Sequence, residues 1–205
     1  MNIDLVLLSG TPASGKDTIT SEIIKKDNRF VHFKKHKIAT GGKLDDTYHL
    51  ISKEEFDEMA QANQFVQYHY RYGRGYGVSY EELLKNKSNG KIPIIHVGKY
   101  ENILRFREFG LKNFLSILIY TDRDNTLKRL EKRHINNNDE IENRIKSYDE
   151  EVQILCEELN KKSRMDFDLV IRNSTENINE ITLEVIEKIN YFENNLESID
   201  DLLCC

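Results

Sequence analysis

The chain has 205 residues with a formal net charge of −5, 39 % hydrophobic and 32 % charged residues. That length suits one domain with a sizeable core, and the acidic balance provides no general field to attract nucleic acid. No apolar run approaches the roughly 18–20 residues needed to cross a bilayer, and the first residues lead into an apolar strand without a basic leader or cleavage site, so a cytoplasmic setting away from membranes is expected.

The first predicted strand, Ile3–Leu8, shows no clean polar alternation, as expected for a strand covered on both faces. The stretch "SGTPASGKDT" follows, and in it Gly10 to Lys16 fit the phosphate-loop pattern G-x-x-x-x-G-K. Glycines there let successive N–H groups curl inward as an anion cradle, reinforced by the N-terminus of the helix predicted over Asp17–Lys26. Gly10, Thr11, Pro12, Ala13, Ser14, Gly15, Lys16, Asp17 and Thr18 are therefore the candidate nucleotide-phosphate site, with Lys16 reaching the outer phosphates.

The pattern's usual hydroxyl residue after the lysine is replaced by Asp17, with the hydroxyl displaced to Thr18. A carboxylate beside phosphates is repelled unless a cation lies between. Either Asp17 helps hold magnesium, directly or through water, or it turns away and Thr18 makes the polar contact. A third reading is a helix N-terminal acid stabilised by the dipole alone.

From about Phe33 to Leu84 the texture changes: turn signals in "ATGG" and "YGRGYG" and six tyrosines mark an insert. Ser52 and Glu55 have capping-box spacing and start a helix running to about Asn63. Beyond the insert, strands Ile92–Val97, Phe114–Tyr120 and Phe167–Ile171, all expected to be central, alternate with helices Glu101–Glu108, Asp124–Lys132, Ile141–Leu159 and Glu176–Asn194. "NST" before the last helix supplies an N-cap candidate. Repeated strand and helix indicate an α/β fold. The acidic stretch after Asn195 has little to pack with and is expected to fray. Cys156, Cys204 and Cys205 lack metal-ligand spacing and are expected as reduced thiols; the acidic residues before the terminal pair speak against lipidation.

Taken with the later motifs, "GTPASGKDT" makes the chain resemble the guanylate kinase superfamily from Leu5 to about Ile189, with Asp17 shared by the related ribose 1,5-bisphosphate phosphokinases. The resemblance implies a P-loop NTPase three-layer sandwich with a central parallel sheet, a substrate-binding insert and a short helical lid. The expected division is a core of 1–32, 91–132 and 149–194, an acceptor-binding insert 33–90, a lid 133–148 and an acidic tail 195–205. Tyr48, Phe56, Phe65, Tyr76 and Gly77 look like the insert's substrate-binding elements. "LKRLEKRHINNNDEIENRI" is similar to the lid segment and places Arg129, Arg133 and Arg144 on its arginine positions. Asn173 in "FDLVIRN" looks like the asparagine bordering the nucleotide base.

The implied activity is ATP- and Mg²⁺-dependent transfer of a phosphoryl group to the phosphate of a small acceptor, with Lys16 and the three lid arginines neutralising the moving charge. The positions that read guanine in the family depart from it: Gln67 and Val78 replace an acid and a hydroxyl, and His96 and Gly98 replace acids of the following strand. The usual acceptor-phosphate arginines are also missing, the nearest cations being Lys35, Lys37 and Lys43. Candidate acceptor contacts are accordingly Lys35, Lys37, Tyr48, Gln67, Tyr76 and His96. For His96, contact with the acceptor and a purely structural hydrogen-bonded role stay open. Two alternatives to a nucleoside monophosphate kinase also stay open: a ribose 1,5-bisphosphate phosphokinase, and a non-catalytic interaction module of guanylate kinase-like fold.

Overall fold

A computed structural model of the chain describes residues 3–39, 47–71, 74–98, 100–111, 113–135, 137–162, 167–174 and 177–203. The main sheet has five strands in the order β2 (Phe30–His32), β7 (Ile92–His96), β1 (Leu5–Gly10), β8 (Phe114–Tyr120) and β9 (Leu169–Arg172). Every neighbouring pair runs parallel, and β1 and β8 stay in register from Leu5 opposite Phe114 to Gly10 opposite Ile119.

β1 is buried along its whole length because both of its faces are covered. Val6 and Leu8 point to one layer, where α1 (Lys16–Lys26) contributes Ile19 and Ile23 and α7 (Ile178–Leu203) contributes Ile181, Val185 and Ile189, each at helical spacing. Leu5 and Leu7 point to the other layer. There they meet Leu83 of α3 (Tyr80–Ser88) and Ile103 and Phe106 of α4 (Tyr100–Glu108). Such side chains each stabilise the fold by about 1.5–3 kcal/mol on full burial. The long α6 (Asn138–Lys162) packs Leu155 on Leu118 of the same sheet, and α5 (Arg123–Arg133) precedes it.

The insert is a second, mixed sheet in the order β4 (Tyr48–Ile51), β3 (Lys35–Ile38), β6 (Arg74–Ser79) and β5 (Phe65–Arg71), covered by α2 (Lys53–Gln61). As its spacing predicts, the Ser52 side chain accepts a hydrogen bond from the Glu55 backbone N–H and caps α2. Fully buried Phe56 of α2 meets Phe65 with ring centroids 4.8 Å apart. Those rings lie directly on the β6 backbone, where a Cβ at Gly77 would sit 2.5 Å from the Phe65 ring. Val66 and Val78 reach into the main core, so the insert is packed onto it.

Two expectations are corrected. β9 is an edge strand, with Val170 56 % exposed, whereas the apolar run predicts a central one. β2 forms the opposite edge; its three residues carry too short a pattern to be read. The expected lid 133–148 takes in the turn after α5 and the first turns of the continuous α6. Helix α7 continues to Leu203 in place of a frayed tail. Cys156 is a free, exposed thiol. Lys43, Lys99, Thr175, Cys204 and Cys205 lie outside the described residues. No described helix is long and apolar enough to cross a membrane.

Phe56→Ala should lower stability by about 3–5 kcal/mol, the range for deleting a buried aromatic side chain. Urea denaturation followed by circular dichroism measures it.

Candidate active site

The phosphate loop leaves the C-terminal end of β1, the edge at which parallel α/β sheets bind ligands. A side chain at Gly10 is excluded, since a Cβ would approach the Ile119 carbonyl oxygen to 2.2 Å. Gly15 stands at φ 92° as the N-cap of α1, which has no side-chain cap, so the first-turn N–H groups face the crevice without one. Ala13 also takes a left-handed conformation at φ 55°, a geometry that costs a non-glycine residue about 1–2 kcal/mol.

Side chains from distant elements hold this shape. Asn173, just past β9 and 1 % exposed, donates from Nδ2 to the Ser14 carbonyl at 2.8 Å. Arg129 donates from one guanidinium nitrogen to the Ala13 carbonyl at 3.1 Å and from another to Asn173 Oδ1 at 3.3 Å. The Lys16 ammonium donates to the carbonyls of Gly10 at 2.6 Å and Thr11 at 3.0 Å, and to Ser14 Oγ at 3.2 Å. The Thr11 hydroxyl is buried without a hydrogen-bond partner.

Asp17 turns toward the end of β7, where its carboxylate lies 3.2 Å from His96 Nδ1. Hydrogen bonding from His96, helped by the charges of Lys16 and Arg133, lowers its pKa to about 2. Burial pushes His96 below the usual histidine range, against the pull of Asp17. The other His96 nitrogen, Nε2, is 2.7 Å from Thr20 Oγ1. Both ring nitrogens are thus occupied, which favours the structural reading of His96 over direct contact with an acceptor.

A crevice of about 1070 Å³ runs from the loop across to the insert, above the size typical for one drug-sized ligand. Arg129, Arg133 and Arg144 all line it, with Arg144 paired to Glu140 at 2.6 Å on its own helix. On the insert side it meets Lys35, Tyr48 and Tyr76, whose rings stand edge to face at 5.8 Å. The Lys35 ammonium donates to the His96 carbonyl, and burial lowers its pKa to about 8.

Two expected acceptor contacts stand behind the crevice lining. Lys37 packs its ammonium 4.3 Å from the Tyr48 ring centroid, outside the crevice lining. Gln67 is 2 % exposed and donates to Asn102 Oδ1 at 3.0 Å, also outside the lining. Asn173 braces the loop through its amide. The sequence reading missed Lys128 and Lys132, whose i, i+4 spacing beside Arg129 and Arg133 was a legible signal, and His69 and Arg74, which only the hairpin β5–β6 brings to the crevice.

Residues 2–190 match the family model described as guanylate kinase. The chain belongs to the guanylate kinase family. Among its relatives, guanylate kinase from Wigglesworthia glossinidia brevipalpis is 27 % identical over 156 residues, covering 76 % of this chain and 72 % of the relative. That from Clostridium tetani is 23 % identical over 150 residues, 72 % of each chain. The crystal structure of guanylate kinase from Anaplasma phagocytophilum shares the fold at a TM-score of 0.64 and 18 % identity, covering 94 % of this chain and 88 % of that one. As a guanylate kinase family member, the protein is an ATP-dependent phosphotransferase of the nucleoside monophosphate kinase type.

Two outcomes test the site. Asn173→Ala strips a donor from the Ser14 carbonyl and should weaken nucleotide binding about tenfold, as a lost buried hydrogen bond costs about 1–3 kcal/mol; titration with a fluorescent ATP analogue reads it. For Lys35, the folded pKa of about 8 lies below its ordinary 10.5. Between those values the unfolded chain holds a proton that the folded one has lost, so this group makes stability rise with pH there. The penalty of holding the cation is full below pH 8 and gone above pH 10.5. Denaturation midpoints across that window should show the rise in wild type and lose it in Lys35→Met.

Proposed function

We propose that the protein transfers the γ-phosphoryl group of Mg²⁺·ATP to the phosphate of a small acceptor, a nucleoside monophosphate or a phosphorylated sugar. One observation carries this reading: a single crevice has a phosphate loop and three lid arginines on one side and the insert's Lys35, Tyr48, Arg74 and Tyr76 on the other. Phosphoryl transfer requires two anions to be aligned and the charge in transit to be neutralised, with little covalent participation by protein.

The Gly10–Thr18 loop fits a triphosphate, because side chains are excluded at Gly10 and Gly15 and α1 has no side-chain cap. Lys16 exchanges its loop oxygens for phosphate oxygens, while Arg133 and Arg144 supply charge from the lid. Arg129 keeps the loop in shape as well as facing the crevice. Asp17 or Thr18 would hold magnesium, which when bound neutralises and orients the phosphates. Among the described residues no cluster of three or more His, Cys, Asp or Glu side chains suits a metal, in keeping with an ion held mainly by phosphates and one or two protein oxygens. An acceptor phosphate is already ionised, so no general base is needed.

Guanine is disfavoured as the acceptor's base by where the guanine-reading positions fall. Val78 is fully buried in the core and Gln67 is committed to Asn102. Neither offers the carboxylate or hydroxyl that guanine's edge requires, and unmet polar groups in a closed site discriminate strongly.

ADP release measured with GMP, dGMP, AMP, CMP, UMP and ribose 1,5-bisphosphate identifies the acceptor. Lys16→Ala should lower kcat/KM about 10²–10³-fold, the scale for one lost stabiliser of developing charge. A full rate in that variant would overturn the mechanism. Nucleotide binding without turnover on any acceptor would favour an interaction module.

A further inference from the structure

The Asp17 side chain is 81 % exposed, and a carboxylate so placed ordinarily samples several rotamers. Here a ring meets it that is itself immobilised. His96 caps β7 with its side chain 18 % exposed, its carbonyl takes the Lys35 ammonium, and the His32 ring stands edge-on with centroids 5.1 Å apart. Its Nε2 rests on the hydroxyl of Thr20, a fully buried residue of α1.

The two contacts select one tautomer. With the proton on Nδ1, the ring donates to the Asp17 carboxylate and Nε2 accepts from the Thr20 hydroxyl, so both nitrogens are satisfied while the ring stays neutral. With the proton on Nε2, the Nδ1 lone pair would face a carboxylate oxygen at 3.2 Å, a repulsive arrangement with no hydrogen bond. We propose that His96 is a positioning residue: an Nδ1–H imidazole braced by Thr20 that fixes the Asp17 carboxylate at the mouth of the phosphate loop for the divalent cation accompanying the nucleotide. This rests on the reading of Gly10–Thr18 as the Mg²⁺·ATP site. It also accounts for the pairing of an aspartate after the loop lysine with a histidine at the end of the neighbouring strand. The carboxylate has a longer reach than the usual hydroxyl and needs a strut to define its direction.

Two measurements test it. Long-range ¹H–¹⁵N spectra of the nucleotide-free protein should show His96 as the Nδ1–H tautomer, reverting to Nε2–H in Asp17→Ala. Mn²⁺ affinity, read by electron paramagnetic resonance with a non-hydrolysable ATP analogue, should fall about tenfold in His96→Gln, the lower end of the range for losing a residue that orients a metal ligand. In His96→Asn, whose amide nitrogen replaces Nδ1 as donor, it should stay within about threefold of wild type. Equal thermal midpoints for the two variants exclude a folding difference between them. An Nε2–H tautomer in wild type, or equal Mn²⁺ affinity in the Asn and Gln variants, would overturn the proposal. If the expected tautomer and affinity split appeared with no turnover on any acceptor, the kinase reading would fail and this assignment would stand.

Discussion

A loop that turns its N–H groups toward an anion must turn its carbonyls elsewhere, and each of those carbonyls then needs a donor. In this protein the requirement organises the whole ligand-binding edge of the sheet. The Ala13 carbonyl is met by Arg129, the Ser14 carbonyl by Asn173, and those of Gly10 and Thr11 by Lys16. The donors come from α5, from the end of β9 and from the loop itself. A strained turn, with Ala13 in a left-handed conformation, persists because surrounding structure determines it from several sides.

That dependence explains why a short, half-exposed edge strand matters. β9 has only four residues, yet it sets the position of Asn173, whose backbone N–H donates to the Tyr120 carbonyl at 2.7 Å while its own carbonyl accepts from Thr121 Oγ1 at 2.8 Å. The strand is anchored just before its start by Asp168, whose carboxylate accepts from both the backbone N–H and the hydroxyl of Ser116 on β8, each at 2.7 Å. The chain from Ser116 through Asp168 and Asn173 to Ser14 therefore links β8, β9 and the phosphate loop by polar contacts as well as by packing.

Most of the core architecture was legible in the sequence, because buried parallel strands read as unbroken apolar runs and the phosphate-loop pattern fixes where one strand ends and a helix begins. Most boundaries shifted by one to three residues, while α7 runs on to Leu203. Whether a run is central or at an edge was not legible: Leu169–Arg172 and Leu5–Gly10 look equally apolar, and only the strand order separates them. The insert was recognised by composition and its α2 cap by spacing. Its strands were missed because β3 and β4 are short, polar and half-buried. At the site, the residues contiguous in sequence or helical in period could be found. Arg74 and His69 could not, since they reach the crevice through a hairpin, and the engagement of His96 with Asp17 and Thr20 joins a strand end to a helix across dozens of residues.

Gathering cations along one crevice has a cost of its own. Lys128 with Lys132 and Arg129 with Arg133 are like-charge pairs at i, i+4, each destabilising an isolated helix by about 0.2–0.5 kcal/mol. The placement of Lys132 and Arg133 in the last turn of α5 offsets part of this, since cations there are favoured by the helix dipole. Carboxylates from neighbouring turns offset more: Glu140 holds Arg144, and Asp17 lies near enough to Arg133 for their charges to interact. These acids and cations sit on the crevice wall, where exchange of one anionic partner for another requires side-chain rotation alone. Arg129 is different, because its two loop-side contacts tie it to the carbonyl of Ala13 and to Asn173. The three crevice arginines thus divide by their partners: Arg129 is tied to the loop, whereas Arg144 pairs on its own helix and Arg133 lies near Asp17.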